Sequence, residues 1–201
     1  MATQSVRGKR AGVTVRQPDP PAPGELQQTP REIDGPYFRL GAPLRSNLID
    51  PGTPEHLAGQ QLILTGRVLN EKGKPIPNAV VNLWSSDAVG NYDMVGYNFH
   101  GYQVTDAEGR YEFLTIVPGC YEPRQAKHLH VKVQGVSSPI TTQLYIEGEP
   151  GNEDDDYYAP ELLVKAEMGA DGIKHGSYDF VLKQVTEREN VTPESLAARV
   201  K

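Results

Sequence analysis

The chain has a single cysteine, Cys120, among its 201 residues. One thiol cannot form an intramolecular disulfide, so nothing in the sequence requires an oxidising compartment, and a cytoplasmic location is our default expectation. The sequence also lacks any apolar run near the roughly 18 residues that span a membrane. Residues 1–10 include basic side chains, but no apolar stretch of the kind found in secretory signals follows them. We therefore expect no membrane partner.

Clustered positive charge is missing as well. The formal net charge is -6, with 20 Lys and Arg against 26 Asp and Glu. Binding to nucleic acid depends on clusters of Lys and Arg that neutralise phosphates. We therefore expect no nucleic-acid partner.

The length fits one domain with a sizeable core and two flanking segments. Residues 1–30 are polar and contain five prolines, at positions 18, 20, 21, 23 and 30. A segment with so few apolar groups cannot offset its own ordering entropy, so it is predicted to be disordered or to lie along a partner subunit in a homo-oligomer. Residues 31–185 are predicted to form the domain, and residues 186–201 a tail with a short helix.

The patterning of the domain indicates strands. Asp, Gly and Pro turns separate seven short runs of alternating or apolar residues, and Thr53-Pro54 predicts one helical turn. We predict an all-β fold, a β-sandwich of short, mainly antiparallel strands with an extended N-terminal arm and short terminal helices. The seven predicted strands cover residues 62–69, 80–84, 102–105, 111–116, 128–134, 141–146 and 177–182.

The segment His128-Leu129-His130 stands out within the fifth predicted strand. Side chains alternate along a strand, so the two histidines share one face, with their Cα atoms roughly 6.5–7 Å apart. Two imidazoles at that spacing can bind one metal ion. Two tyrosines occur in turns nearby, Tyr92 after Gly90-Asn91 and Tyr121 after Pro118-Gly119.

Two phenols and two imidazoles are an unusual set of donors. Zinc sites favour thiolate, imidazole and carboxylate, whereas magnesium and calcium sites favour carboxylates and carbonyls. A phenol, with an ordinary pKa of about 10, gives up its proton near neutral pH only to a strongly Lewis-acidic ion. Ferric iron is the common ion of that kind.

Short motifs across the chain resemble one known family, the intradiol ring-cleaving dioxygenases of the catechol, hydroxyquinol and protocatechuate types. They cover roughly residues 30–183 and occur in the family's order. The motifs are Asp34-Gly35-Pro36-Tyr37, Gly66-Arg67-Val68, Gly73-Lys74-Pro75-Ile76-Pro77-Asn78-Ala79, Trp84, Gly90-Asn91-Tyr92, Thr105-Asp106-Ala107-Glu108-Gly109-Arg110-Tyr111, Thr115-Ile116-Val117-Pro118-Gly119, His128-Leu129-His130 and Thr141-Thr142-Gln143-Leu144-Tyr145.

The resemblance implies an enzyme that opens catechol or a substituted catechol between its two hydroxylated carbons, using O2 and giving a cis,cis-muconate. It implies one Fe(III) per chain, and it maps the metal ligands onto Tyr92, Tyr121, His128 and His130. Tyr121 would also take part in catalysis, as the ligand that leaves the metal when substrate binds.

The resemblance further implies that an arginine and a glutamine act beside the metal. In compact family members the arginine follows the second tyrosine by three residues and precedes the first histidine by three. Arg124 keeps the first spacing and Gln125 the second, because one extra residue precedes His128. We favour Arg124 as the catalytic cation, and Gln143 matches the family's polar group at the substrate pocket.

Five further residues are candidates for substrate binding. Gly35-Pro36-Tyr37 matches a stretch that borders the substrate ring in the family, although Tyr37 has an alternative role as an anchor for the arm. Tyr97 and Tyr102 follow Tyr92 and either line the pocket or pack in the core.

Two other kinds of protein fit parts of this pattern. The strand and turn motifs also occur in transthyretin-like sandwiches, which are binding or accessory modules without catalysis. Cupin-type barrels use His-x-His with a glutamate a few residues later, but the next acid after His130 is Glu147. The transthyretin-like alternative does not account for His128-Leu129-His130 beside Tyr121.

The other histidines and tyrosines and the acidic run are not expected to bind metal. His56 and His175 are assigned to polar loops, and His100 to a structural or supporting position. Tyr111 and Tyr178 are expected in the core, and Tyr157 and Tyr158 at the surface. The acidic run at residues 153–156 is expected to be a solvated loop rather than a calcium site.

Overall fold

The computed structural model describes residues 21–135 and 139–183. Nine strands form the framework of this part of the chain. A four-residue helix α1 (Glu55–Ala58) precedes the first strand, and a 3-10 turn (Pro160–Leu162) precedes the seventh. The strands are β1 (Gln61–Asn70), β2 (Val80–Trp84), β3 (His100–Val104), β4 (Arg110–Ile116), β5 (His128–Gln134), β6 (Ile140–Ile146), β7 (Leu163–Met168), β8 (Lys174–Ser177) and β9 (Phe180–Leu182).

The strands are hydrogen-bonded in the order β3-β2-β5-β6-β7-β8-β1-β4, and β9 pairs with the end of β1. Strand β7 connects two layers. Its first two residues pair in parallel with β6, and its last four pair antiparallel with β8. The layer β3-β2-β5-β6 therefore packs across the layer β8-β1-β4, and one core cluster contains buried side chains from both.

Alternation along the strands creates this core. In β4, Tyr111 and Phe113 are buried while Arg110 and Glu112 are exposed. Strand β5 lies between β2 and β6, and its Leu129 and Val131 are fully buried in the core cluster. A strand with one face in the core holds its register strongly, because a slip of one residue would exchange the two faces.

The predicted all-β fold is confirmed, with five antiparallel and three parallel pairs among the described strands. Two details of the strand prediction were wrong. The run at residues 177–182 is divided between β8 and β9, and β7 was missed. The β7 segment Leu-Val-Lys-Ala-Glu-Met is rich in good helix formers, so only its pairing with β6 and β8 makes it a strand.

The described part of the N-terminal arm packs against its own chain. Leu26 N–H donates to Glu71 O, Thr29 N–H donates to Val181 O, and Glu32 N–H donates to Thr141 O. Residues 21–30 therefore lie along this chain's own strands, where the sequence had led us to expect disorder or a partner contact. The predicted C-terminal helix near Thr192 lies outside the described residues.

The helical turn predicted at Thr53-Pro54 is present as α1. Pro54 occupies the N-cap position, while the Thr53 hydroxyl donates to Asp50 O instead of capping the helix. Within residues 21–135 and 139–183, the structure contains no helix with the length and apolarity that crossing a bilayer requires.

Gly66 lies in β1 between the residues that pair with β8 and those that pair with β9. A Cβ added to Gly66 would lie 1.8 Å from the backbone carbonyl oxygen of Tyr178. The Tyr178 N–H donates to Thr65 O at 2.9 Å, and this hydrogen bond holds the Tyr178 backbone close to β1.

We therefore predict that Gly66→Ala destabilises the fold by at least about 2 kcal/mol, since backbone has to move to relieve the overlap. Gly135→Ala is the matched control, because its added Cβ would meet only side-chain atoms of Ile76 and Leu182, at 3.2 and 3.3 Å. Urea unfolding of the two variants and the wild type measures the difference. Equal stability of the two variants would contradict this account of Gly66.

Candidate metal centre

Strand β5 carries both histidines of the predicted site. His128 and His130 are on one face, with exposed fractions of 2% and 1%, while Leu129 between them points into the core. Across the sheet His130 is paired with Trp84 of β2 and with Gln143 of β6. The Trp84 and His130 rings stack with centroids 5.0 Å apart and planes at 10°, so packing orients this imidazole.

Two loops bring the tyrosines to this face. Tyr92 lies in the loop between β2 and β3, and Tyr121 lies in the loop between β4 and β5. Asp87 joins the two loops: its side chain accepts the Asn91 N–H at 2.9 Å, and its backbone carbonyl accepts the Gly119 N–H at 2.8 Å.

The four predicted ligands lie together. The Tyr92 hydroxyl is 3.1 Å from His130 Nε2, and the two tyrosine rings meet edge to face with centroids 5.6 Å apart. The Tyr121 and His128 centroids are 5.7 Å apart, and those of His128 and His130 are 4.8 Å apart. Two phenols and two imidazoles thus face one small volume.

Both imidazoles are neutral in this setting. His128 Nδ1 donates to Ala126 O at 2.8 Å, which leaves the Nε2 lone pair directed into the site. Burial, followed by the charge of Arg124, lowers the pKa of His128 to about 4. Burial, followed by the neighbouring His128, holds the pKa of His130 well below its ordinary value.

The two phenols are protonated in the metal-free chain. Burial and the neighbouring Tyr121 raise the pKa of Tyr92 far above its ordinary value. Burial also raises the pKa of Tyr121, although a hydrogen bond from Tyr92 and the charge of Arg124 oppose the shift. A bound cation reverses this preference, because it replaces the phenol protons.

This donor set fits a ferric ion. It offers two neutral imidazole nitrogens and two oxygens that become anionic on binding, and it includes no thiolate or carboxylate. His130 Nδ1 is buried without a hydrogen-bond partner among the described residues, so its stacking on Trp84 and the Tyr92 hydroxyl beside Nε2 hold that ring. Elsewhere in residues 21–135 and 139–183, no group of three or more His, Cys, Asp or Glu side chains forms an alternative metal site.

Arg124 reaches the site from the turn that also holds Tyr121. The Tyr121 N–H donates to Arg124 O at 3.1 Å, which closes the turn. Arg124 Nη1 lies 3.4 Å from His128 Nε2, and Nη2 donates to Gln143 Oε1 at 2.8 Å. Gln125 is exposed and directs its amide to Glu122, away from the ligands.

A protein-family model described as Dioxygenase matches residues 33–184 of the chain. The chain belongs to the intradiol dioxygenase family. Catechol 1,2-dioxygenase 2 of Acinetobacter lwoffii is 35% identical over 156 residues, which cover 65% of this chain and 56% of that protein. The protocatechuate 3,4-dioxygenase beta chain of Burkholderia cepacia is 38% identical over 125 residues, covering 53% of this chain and 52% of that one.

This intradiol dioxygenase chain thus spans about half the length of these two curated relatives. Its fold is also similar to a solved structure, the dioxygenase domain of a dioxygenase carbohydrate-binding protein fusion from Streptomyces sp. SirexAA-E. The two are 38% identical with a TM-score of 0.73, and the match covers 79% of this chain and 100% of that chain.

The predicted substrate residues of the N-terminal segment border the ligands. The Tyr37 ring stacks on Tyr92, with centroids 4.2 Å apart and planes at 16°. Gly35 has a φ of +70°, and a Cβ there would lie 3.2 Å from His130 Cε1. Glycine therefore permits both the turn and the close approach of this segment to the imidazole. Pro36, between these two residues, is exposed.

Tyr97 and Tyr102 lie farther from the ligands. Tyr97 donates its hydroxyl to Leu40 O at 2.6 Å, and its ring contacts His100, with centroids 5.6 Å apart. Tyr102 is buried in β3, where it is paired with Asn82 of β2. A role for either tyrosine in substrate binding stays a prediction.

The environment of two residues that contact Arg124 differs from the sequence-based prediction. Asp155, expected in a solvated loop, is buried and forms an ion pair of 2.8 Å with Arg124. Tyr157, expected at the surface, lies over the Arg124 guanidinium at 4.7 Å. The only sequence signal was the Asp155-x-Tyr157 spacing in the acidic run, which does not by itself distinguish a buried carboxylate from a solvated one.

The other histidines do not approach the ligands. His56 lies in α1 and His175 in β8 rather than in polar loops, and His175 pairs with Asp171. His100 is buried in β3, and its Nε2 lies 3.0 Å from Asn82 Oδ1. Burial, with the charges of Arg39 and Arg45, lowers the pKa of His100 to about 4.

We predict that His100 makes stability dependent on pH. Since its folded pKa of about 4 lies below the ordinary 6.5, the unfolded chain takes up a proton first as the pH falls. The contribution of His100 is thus complete above pH 6.5 and is lost between about pH 6.5 and 4, by up to about 1.4 kcal/mol per pH unit.

Urea unfolding of the metal-free wild type and of His100→Gln across this range tests the prediction. The free energy of unfolding should fall less steeply for the variant as the pH decreases. The other buried histidines are present in both chains, so the difference isolates His100. Parallel curves would contradict the assignment.

Proposed function

We propose that this chain is a ferric, non-haem intradiol dioxygenase. It cleaves catechol or a substituted catechol between the two hydroxylated carbons. Both atoms of O2 enter the product, which is a cis,cis-muconate. Residues 31–185 form the catalytic domain in this proposal.

The observation that carries the proposal is the convergence of four side chains beside a buried arginine. Tyr92, Tyr121, His128 and His130 supply two phenols and two neutral imidazoles. A β-sandwich that only binds or scaffolds does not need two imidazoles on one face of a central strand together with two phenols from adjacent loops. Similarity to the catechol 1,2-dioxygenase of A. lwoffii supports the same reaction class.

Each of these residues has a role in the proposal. The four ligands hold one ferric ion, which when bound acts as a Lewis acid toward the two catechol oxygens. Tyr121 Oη accepts a proton from a substrate hydroxyl. The guanidinium of Arg124 stabilises negative charge that develops on the ring, and Gln143 holds that guanidinium through Nη2.

The N-terminal segment forms one wall of the site. Gly35, Pro36 and Tyr37 lie across the ligands, with Tyr37 stacked on Tyr92. A covered site keeps solvent from the reactive groups and strengthens the electrostatic effect of Arg124. Tyr97 and Tyr102 remain candidates for the outer part of this wall, and assembly into a homo-oligomer stays a prediction.

The charges around the ligands favour a catechol without a carboxylate. Arg124 is paired with Asp155, Lys132 with Asp34, and Lys127 with Glu149. The three basic side chains of β5 and the loop before it thus each have an acidic partner. A ring carboxylate bound there would compete with one of these acids for its cation, whereas an apolar substituent would not.

We predict that the purified protein binds one ferric ion per chain and is coloured, because charge transfer from tyrosinate to iron absorbs visible light. Adding catechol should shift the band. Tyr92→Phe should lose the colour, and Tyr158→Phe, which changes a tyrosine outside the ligand set, should keep it. Zinc in a metal analysis, or a preparation that stays colourless after ferric reconstitution, would favour a transthyretin-like binding module instead.

We further predict that catechol, 4-methylcatechol and hydroxyquinol are all turned over, with kcat/KM values within about 200-fold of one another, and that protocatechuate is turned over more slowly than any of them. Small apolar differences between rings change the transition-state free energy by only about 1–3 kcal/mol. Steady-state assays with product identification provide the measurement. Activity on protocatechuate alone would contradict the charge argument, and a yellow extradiol semialdehyde would overturn the proposed reaction.

A further inference from the structure

Asp155 differs from the other acids of its loop. Its neighbours Asp154 and Asp156 are exposed, whereas the Asp155 side chain is 1% exposed. Its carboxylate accepts Arg124 Nε at 2.8 and 3.1 Å. It also accepts the Ala126 N–H at 3.2 Å and the Tyr157 N–H at 3.0 Å. A buried carboxylate with this many donors is held in one position.

The Arg124 guanidinium is in turn held on three sides. Asp155 binds Nε, Gln143 binds Nη2, and the Tyr157 ring covers one face at 4.7 Å. The remaining nitrogen, Nη1, lies beside His128 Nε2. The contact with Asp155 therefore determines which edge of the guanidinium faces the site.

We propose that Asp155 is a positioning residue for ring cleavage, and that it acts by directing Arg124 Nη1 toward the space beside His128 Nε2. This inference rests on the proposed function. Asp155 does not touch the ligands or the substrate in this proposal. It aligns the cation with the place where negative charge develops on the substrate ring.

The physical argument has two parts. An arginine side chain has many rotamers, so a fixed partner at Nε keeps the guanidinium aligned before substrate binds. Misplacement of a catalytic group by about 1 Å commonly costs on the order of 100-fold in rate. Asp155 also compensates the charge of the buried Arg124 guanidinium, which would otherwise lack its ion-pair partner.

Asp155 is connected to the ligands by a second route. It accepts the Ala126 N–H, and Ala126 O accepts the proton of His128 Nδ1. The carboxylate thus supports both the arginine and the loop that orients the first histidine. If this second route were its whole role, Asp155 would be structural, and its loss would reduce iron loading rather than the rate per bound iron.

The test compares iron-loaded wild type with Asp155→Asn, Arg124→Ala and the double variant. Asp154→Asn is the matched control, since it makes the same change at the adjacent exposed position. Gln125→Ala tests the alternative register of the arginine. The readouts are iron per chain, the visible band, kcat per bound iron, and catechol affinity measured spectroscopically without O2.

For Asp155→Asn we expect kcat per bound iron to fall about 10–100-fold, the range found for outer-shell groups. Iron content, the visible band and catechol affinity should remain within about threefold of wild type, because a transition-state interaction is lost rather than a ligand. In the Arg124→Ala background the same change should have little further effect on kcat. Asp154→Asn should behave as wild type.

Several results would overturn the inference. The first is a kcat of Asp155→Asn equal to that of an active wild type. The second is a fall in kcat caused by Asp155→Asn that is as large in the Arg124→Ala background as in the wild type. The third is normal turnover by Arg124→Ala together with impaired turnover by Gln125→Ala. An iron-loaded wild type without turnover would overturn the proposed function, and this inference with it. The two failures are therefore distinguishable.

Asp155→Glu serves if Asp155→Asn fails to fold, because it keeps the charge of the ion pair and displaces the carboxylate by roughly one methylene. We expect kcat to fall with iron binding retained, since alignment of Arg124 is altered without leaving it unpaired. A chain with Asp155→Glu and wild-type kcat would overturn the positioning role.

Discussion

The register of β5 is the constraint on which the candidate site depends. Leu129 and Val131 are fully buried in the core, and burial of each such side chain contributes about 1.5–3 kcal/mol to folding. They alternate along the strand with His128 and His130, which lie on the opposite face. A shift of one residue would place the imidazoles in the core and the aliphatic side chains at the site, so the same contacts stabilise the sandwich and determine where the nitrogen donors lie.

The strands and the loops contribute different donors to the site. The sheet supplies the imidazoles, together with Trp84 and Gln143 as neighbours of His130 across the strands. The loops supply the phenols of Tyr92 and Tyr121. Hydrogen bonds that Asp87 accepts from Asn91 and Gly119 join the two loops, so the phenols are held in place although neither lies in regular structure.

Electrostatics within the site follow from burial. The imidazoles are neutral and the phenols protonated because low polarity disfavours their charged forms. Burial also opposes ionisation of Asp155, but the hydrogen bonds and charge of Arg124 outweigh it and hold the pKa of Asp155 below its ordinary value. The permanent charge beside the ligands is therefore already balanced before any ion or substrate binds.

Local residue patterns were enough to predict the strand alternation, the fold class and the shared face of His128 and His130, because side chains two residues apart lie on one face of a strand. Motif order was enough to indicate the family. The folded chain was needed to show that β7 is a strand, that residues 21–30 lie on their own chain, and that Asp155 is buried against Arg124. These features arise from contacts between residues distant along the chain, and local sequence preferences do not report which segments will meet.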